Sequence, residues 1–437
     1  MIAFMLKIIV IADDLTGAND TGVQFSKVGM SAHVIMDISA DLQSGQQADV
    51  LVFDTDSRAV RPAEADRRVH ALCQKIKTDC NNFSMVYKKI DSTLRGNIGV
   101  EIDAALDGLA LEWAAVVPAF PKTGRITAGG YHLLQQVPLA ESEISRDPKA
   151  PVTDSLLPNL LGKQSRHKVG HIFLKTVYAG VEAIIGEIKG LRAEECKLIS
   201  FDATTENHLT LIALALIKSG PSMLWVGSAG LAEKIPDLMG WASTTPTVVQ
   251  PPSRGPALIV AGSVSKVTAG QVRYLMEQGT VCLVAVHADQ LITDKATEVK
   301  RCIDKAKAHL ENGDDVILAS ATDTDAVEKA RDAGNNKGME LQAISEAIAD
   351  ALGEIVQTLV TSRIAGLFLT GGDTAVAVCR ALQVGAIEVT AEVAPGIPLG
   401  KLSGGICTGM TVVTKAGAFG TENAIAAAVE LLRVRKG

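Results

Sequence analysis

The chain has 437 residues, 47% hydrophobic and 21% charged, with 42 Lys and Arg against 49 Asp and Glu for a formal charge of −7. That length exceeds one ordinary core and implies two or three domains, and the composition excludes disorder across the whole chain. The acidic balance and 4% aromatic content argue against a nucleic-acid coat, a surface for anionic membranes or a stacking platform for bases.

The N-terminal MIAFMLKIIVIADD lacks a basic leader and a cleavage site and runs into two aspartates, so it reads as a first buried strand rather than a signal peptide. KIIVIA (7–12), AHVIM (32–36), DVLVFD (49–54), SMVYKKI (84–90) and WAAVVPA (113–119) follow as strands. Helical patterns such as AEADRRVHALCQKI and GVEIDAALDGL separate them. Residues 120 to 170 hold several Pro and Gly and read as irregular loops; KLISFDA and SMLWVGS then resume the strand pattern. LTLIALALIKSG, bounded by His208 and Lys218, is too short to span a bilayer and reads as a buried helix. The clearest composition break is STTPTVVQPPSRGP at 243–256, which divides the chain into 1–245, a linker at 246–256, and 257–437. ALIVAGS (257–263), TVCLVAV, DVILASA, IAGLFLTGG and MTVVTKAG are strands of the second half. Its helices include TAGQVRYLMEQ, AISEAIADALGEIVQTLVT and TENAIAAAVELLRVR. The alternation predicts an α/β protein of two domains, each with a largely parallel sheet flanked by helices.

Seven cysteines (Cys73, Cys80, Cys196, Cys282, Cys302, Cys379 and Cys407) form no CxxC and sit mostly in apolar runs. They read as reduced thiols of a cytoplasmic protein, neither a disulfide framework nor a zinc site. His167 and His171 are four apart but lack the glutamate of a zinc-protease helix, and GSAGLAE (227–233) misses the nucleophile-elbow pattern.

In open parallel sheets ligands bind beyond the carboxyl ends of the strands. Those ends carry Asp13-Asp14-Leu15-Thr16-Gly17, then Thr55-Asp56-Ser57-Arg58, then Lys88-Lys89-Ile90-Asp91-Ser92-Thr93-Leu94-Arg95, and Phe120 to Arg125. Arginine and lysine suit a carboxylate, aspartates suit hydroxyls, and a carboxylate beside a hydroxyl can act as general base. This rim fits a small, polyhydroxylated, anionic ligand. The bland reading makes Asp13 or Asp14 a helix cap and Arg58 and Arg95 surface ion-pair members.

The second half instead ends its strands on Gly262-Ser263-Val264-Ser265, on Thr370-Gly371-Gly372-Asp373-Thr374, on Pro395 to Gly400, and on Thr414 to Gly420. Glycine admits close approach of phosphate, and a following helix supplies free N–H groups and its positive dipole end. A nucleotide site is the natural reading, although no Walker A, Rossmann or protein-kinase signature is present.

Together IADDLTGANDTG, KKIDSTLRGN, VVPAFPKTGRITAGGYHLL, GSVSKVTAGQV, TGGDTAVAVCRAL, PGIPLG and TKAGAFG resemble, in order and across nearly the whole chain, the four-carbon acid sugar kinases. The resemblance implies an acid-sugar-binding N-terminal domain and an ATP-binding C-terminal domain. Substrate-binding residues by this reading are Asp13, Asp14, Arg58, Lys89, Ile90, Asp91, Ser92 and Arg95, with Asp14 or Asp91 as catalytic base. Nucleotide-binding residues are Ser263, Ser265, Gly371, Gly372, Asp373, Thr374, Gly400, Gly417 and Gly420, with Mg²⁺ bridging the ATP phosphates. Arg58 and Lys89 are expected to pair with the substrate carboxylate, and domain closure to exclude water. RDPKAPVTDS (146–155) resembles the threonate and erythronate kinases more than the 3-oxo-tetronate branch. The expected reaction is phosphorylation of the terminal 4-hydroxyl of D-threonate. Alternatives are D-erythronate, L-threonate or 3-oxo-tetronate and, in another class, a non-catalytic sugar-acid and nucleotide sensor. No nucleic-acid or membrane partner is expected, and apolar helices are compatible with a homodimer.

Overall fold

The computed structural model describes residues 6–36, 48–80, 83–147, 149–241, 255–279, 281–320 and 324–433. The chain divides into two compact units, Met1–Pro246 and Thr247–Gly437. Most of the 246–256 stretch read as a linker lies outside the described residues.

The first unit contains β1 (Leu6–Ala12), β2 (Ala32–Ile35), β3 (Val50–Asp54), β4 (Phe83–Lys89), β5 (Trp113–Val117), β6 (Arg125–Ala128), β7 (Tyr131–Leu134), β8 (Val137–Pro138), β9 (Val169–Ile172), β10 (Leu198–Phe201) and β11 (Met223–Gly227). Its main sheet runs β2-β3-β1-β4-β11-β5-β10-β9, and every pairing within it is parallel. Ile8 to Ala12 are wholly buried, as expected of a strand covered on both faces, which is why KIIVIA shows no alternation. The helices Leu15–Ser26, Pro62–Asp79 and Ile98–Leu109 alternate with these strands. β3 and β4 lie on opposite sides of β1, so the chain reverses direction across the sheet there. Such a switch point opens a crevice beyond the strand ends, and Asp13, Arg58 and Lys89 come from those ends.

The 120–170 stretch, expected to contain irregular loops, also holds strands. β6, β7 and β8 form a small antiparallel sheet, closed between the first two by the two-residue turn Gly129-Gly130 with φ of 61° and 80°. Paired left-handed glycines are what a tight hairpin requires, so this signal was present in TAGGYHLL. Asp202 fixes the turn by accepting from both glycine amides, at 2.8 and 2.9 Å.

The second unit contains β12 (Ala257–Ala261), β13 (Val281–Ala285), β14 (Asp315–Ala319), β15 (Gly366–Thr370), β16 (Ala386–Ala394), β17 (Ile397–Ser403) and β18 (Thr411–Lys415). Its order is β13-β14-β12-β15-β18-β17-β16, parallel from β13 to β18 and antiparallel from there on. The β16–β17 hairpin was missed by sequence reasoning, although AIEVTAEVA alternates as a half-exposed strand does. The structure corrects one site residue here: Gly400 lies buried within β17, paired with Val389 and Val412, and not at a phosphate-binding turn. A Cβ at Gly400 would come within 2.6 Å of the Glu388 carbonyl, so its glycine is explained by strand packing. Among the described residues no helix is long and apolar enough to cross a membrane.

Candidate active site

At the first unit's rim, Arg58 is the hub. Its Nε and Nη2 donate to the two Asp13 oxygens, both at 2.8 Å, and Nη1 and Nη2 donate to the Asp14 oxygens at 2.6 and 2.7 Å. The Asp13 backbone carbonyl accepts in turn from the Ser57 and Arg58 amides, which ties the segment after β3 to the end of β1. Asp14 also caps the helix Leu15–Ser26, accepting from the Gly17 amide at 2.8 Å. The capping reading of Asp14 is thus met, whereas Arg58 is no surface ion-pair member, its side chain being 15% exposed.

The two aspartates differ electrostatically. Burial pushes both carboxyls up, but Arg58 with Lys88 and Lys89 outweighs it at Asp13 and holds that group below its usual range. At Asp14 burial prevails over Arg58, and the Asp13 charge adds to it, so its proton affinity is raised. Gly17 sits among these charges: a Cβ there would lie 2.7 Å from Asp14 Oδ1 and 3.0 Å from Lys89 Nζ. Lys89 donates to the Ile90 carbonyl at 3.0 Å, which is how Ile90 enters the site, through its backbone.

Asp91 is held differently. Arg95 Nε and Nη2 donate to it at 2.7 and 3.2 Å, Thr93 Oγ1 donates to it as well, and Arg95 also reaches Asp147 at 3.1 Å. Burial raises the Asp91 carboxyl, but Arg95, Arg58 and Thr93 together set it well below the usual range. It is a fixed anion and a poor proton acceptor. Ser92 is positioned by its carbonyl, to which the buried His132 Nε2 donates at 2.9 Å while its Nδ1 accepts from Thr127 Oγ1 at 2.9 Å. The carbonyl fixes the proton on Nε2, and burial, which lowers the pKa to about 4, keeps the ring neutral so that Nδ1 accepts.

Three features of this rim escaped sequence reasoning. Successive side chains of a strand point to opposite faces, so Lys88 turns away from Lys89 and pairs with buried Glu101 at 2.7 Å. Glu101 also accepts from Ser57 at 2.8 Å. Asp54, at the end of β3, has its carboxyl raised well above normal by burial, against the Asp56 amide that donates to it and with Asp14, Asp56 and Asp13 adding to the rise. Arg58 also borders a cavity of about 220 Å³ that Lys149, Thr153 and Asp154 help to line. Those three belong to the 146–155 segment.

In the second unit the ends of β12, β15 and β18 meet. A Cβ on Gly417 would lie 2.0 Å from Ser263 Oγ and 3.2 Å from Ser265 Cβ, and one on Gly262 would lie 2.1 Å from Thr374 Oγ1. Gly371, with φ 103°, would place a Cβ 3.4 Å from the Ser263 amide. Ser263, Ser265, Gly371, Thr374 and Gly417 therefore form one close-packed cradle. Gly372 and Asp373 open the helix Gly372–Ala381 beside it, and Ser265 caps the helix Lys266–Glu277. Gly420 joins through Gln271, whose Nε2 donates to the carbonyls of Phe419, Gly420 and Thr421 at 3.0, 3.2 and 2.9 Å. Beside Ser263 lies a cavity of about 360 Å³, bordered by Ala261, Thr268, Val272, Met276 and Leu283.

Lys415 was overlooked, although a lysine closing the apolar run TVVTK is a visible signal. Its buried ammonium donates to the carbonyls of Ala416, Gly417 and Phe419 at 2.8, 3.0 and 3.1 Å and to Thr268 Oγ1 at 3.3 Å. It gathers the carbonyls of the glycine turn onto one charge. Burial lowers its pKa to about 8.

The donors at this cradle are hydroxyl and carboxylate oxygens, from Ser263, Ser265, Thr374 and Asp373, the type that Mg²⁺ takes alongside phosphate oxygens and water. The glycines let Ser263 and Thr374 pack close against the strand-end backbone, and the hydroxyls brought together there are donors of a kind that suits phosphate oxygens.

Comparison with known proteins agrees with this division. A family model for a sugar-binding N-terminal domain matches residues 8–235, and one for a nucleotide-binding C-terminal domain matches 258–425. The chain is 36% identical over 424 residues to a D-threonate kinase of Salmonella typhimurium, spanning 96% of this chain and 97% of the relative. It is 34% identical over 438 residues to a D-erythronate kinase of Heliobacterium modesticaldum, spanning 98% and 97%. A crystal structure from Salmonella typhimurium LT2 superposes with a TM-score of 0.82 at 26% identity, covering 97% of this chain and 99% of that one. The chain belongs to the four-carbon acid sugar kinase family.

Proposed function

We propose that this protein transfers the γ-phosphoryl group of ATP to the terminal 4-hydroxyl of a four-carbon sugar acid, with D-threonate the first candidate and D-erythronate, L-threonate and 3-oxo-tetronate the alternatives. The observation that carries the mechanism is the placement of Asp14: its carboxylate stands at the end of β1, 23% exposed and oriented by Arg58 and the Gly17 amide, whereas Asp13 is 3% exposed and Asp91 is 12% exposed and held by Arg95 and Thr93. Asp14 is the base. It takes the hydroxyl proton as the substrate oxygen attacks phosphorus in line and ADP leaves, and the proton then passes to solvent.

The contacts support a narrower role for Arg58 than pairing with the substrate carboxylate. Arg58 spends four donor contacts on Asp13 and Asp14, so its role is to pin the base, and the substrate carboxylate falls to Lys89. The acid is placed against Asp14 and Lys89 at the rim; the cavity beside Arg58 is lined by neither, so it is a neighbouring space bounded by the 149–154 segment and not the seat of the reacting hydroxyl. In the second unit the phosphates lie over Gly371–Thr374 and Gly417, and the apolar cavity beside Ser263 receives the base. Asp373 would hold Mg²⁺ together with the nucleotide phosphates, and the ion would supply neutralisation of their charge. The unpaired thiols fit a reducing, cytoplasmic setting.

The test is ADP release with Mg-ATP across a panel of four-carbon acids, with mass spectrometry of the product. A singly phosphorylated acid from one member establishes the kinase and names its substrate. Binding of acid and nucleotide without turnover on any member overturns it in favour of a sensor.

A further inference from the structure

Six of the seven cysteines are buried, and Cys282 is the exception. It lies near the start of the edge strand β13, whose neighbour β14 begins immediately after Asp314. The helix Lys295–Asn312 ends in front of β14 at Gly313, whose φ of 89° turns the chain so that His309, in the last helical turn, and Asp314 face the same side. One ligand atom each from Cys282, His309 and Asp314 lies within 4.8 Å of the others. His309 Nδ1 is 3.3 Å and Cys282 Sγ 3.8 Å from the same Asp314 oxygen. Tetrahedral zinc, with bonds of about 2.0–2.3 Å to N, O and S, needs ligand separations of about 3.3–3.6 Å. Two of the three edges are thus already near that geometry.

We propose that Cys282, His309 and Asp314 form a binding site for a borderline-soft divalent cation of the Zn²⁺ class, with the fourth position open to water. The donor set discriminates: thiolate and imidazole select Zn²⁺ over the Mg²⁺ that oxygen donors take. On binding, the thiol proton leaves to solvent and the sulfur coordinates as thiolate. The site is separate from the chemistry. Cys282 and Asp314 lie at the amino ends of β13 and β14, whereas Ser263, Gly371 and Gly417 follow the carboxyl ends of strands in the same parallel array. A bound ion clips the edge strand to the helix and to β14, and this inference stands independently of the kinase reading. Sequence spacing hid the trio, because its members come from three segments and form no compact motif.

The test is titration of the full-length, nucleotide-free protein with Co²⁺ and Zn²⁺, comparing wild type with C282S, C282A and H309A. Expected are a thiolate-to-cobalt charge-transfer band in wild type, its loss in both Cys282 variants, and Zn²⁺ affinity at least about 100-fold weaker in H309A, beyond the usual outer-shell effect. Zn²⁺ should raise the Tm of wild type but not of C282S, and ADP release by C282S should match wild type. A wild-type protein with no such band, or a band that persists in C282S and C282A, overturns the proposal.

Discussion

The two strand-end rims solve recognition with opposite materials. That of the first unit is dense in charge, and its charges are chiefly spent on one another: Arg58 on Asp13 and Asp14, Arg95 on Asp91 and Asp147, Lys88 on Glu101. That of the second unit is built from glycines and hydroxyls packed too closely for a Cβ, with Lys415 beneath them. A ligand distinguished by hydroxyl placement needs side chains fixed in direction, which mutual pairing supplies. A phosphate chain needs backbone amides and close approach, which glycine supplies. On the proposed function, charge at the first rim would act by holding geometry as much as by attracting an anion.

Breaking the charged rim should have the largest effect. Arg58→Met leaves Asp13 and Asp14 without their counter-charge and is expected to abolish turnover and cost about 3–5 kcal/mol, as for other broken buried pairs, read by urea unfolding. Wild-type stability in this variant would show that the aspartates do not depend on Arg58. At the glycine rim, Gly417→Ala drives a Cβ into Ser263 and should raise the ATP KM by about 10- to 100-fold while leaving sugar-acid affinity unchanged. An equal loss of both ligands would erase the contrast between the rims.

Smaller changes sharpen it. Lys415→Met should raise the ATP KM by about tenfold through a loosened turn. The folded pKa of Lys415, about 8, lies below the ordinary 10.5, so the unfolded chain holds more protons between those values and stability should rise with pH across that window. The rise should vanish in Lys415→Met, as followed by Tm against pH. His132, lowered by burial from 6.5 to about 4, works on the acid side. Its contribution is complete above the ordinary value and is lost as pH falls through the folded one, up to about 3 kcal/mol. His132→Asn should flatten that acid limb and change turnover only a few-fold; an unchanged limb would remove His132 as its source.

Much of this was legible because apolar runs and the residues after them survive in one dimension. KIIVIA became β1 and delivered Asp13 and Asp14 to the rim, and GSVSK and TGGDT became strand-to-helix turns. What the sequence concealed was pairing. KK does not reveal that Lys88 faces Glu101 while Lys89 faces Asp14, because that depends on strand facing and on a helix beginning nine residues later at Ile98. Arg58 looks like a free anion binder until its two aspartate partners are in place. Gly400 failed for the reverse reason: PGIPLG offers the same glycine to a turn and to a crowded strand, and only the β17 register decides. Asp54 was invisible as an acid, since its shift comes from burial and from carboxylates on another segment.

The central claim is that Asp14 is the base and the other rim carboxylates hold geometry. The most direct test is pre-steady-state phosphoryl transfer by Asp14→Asn, which keeps the helix cap and removes the proton acceptor, with acid and ATP binding measured by calorimetry. The account predicts a rate lower by about 10²–10⁴ with both affinities within a few-fold of wild type. Transfer at the wild-type rate would contradict it.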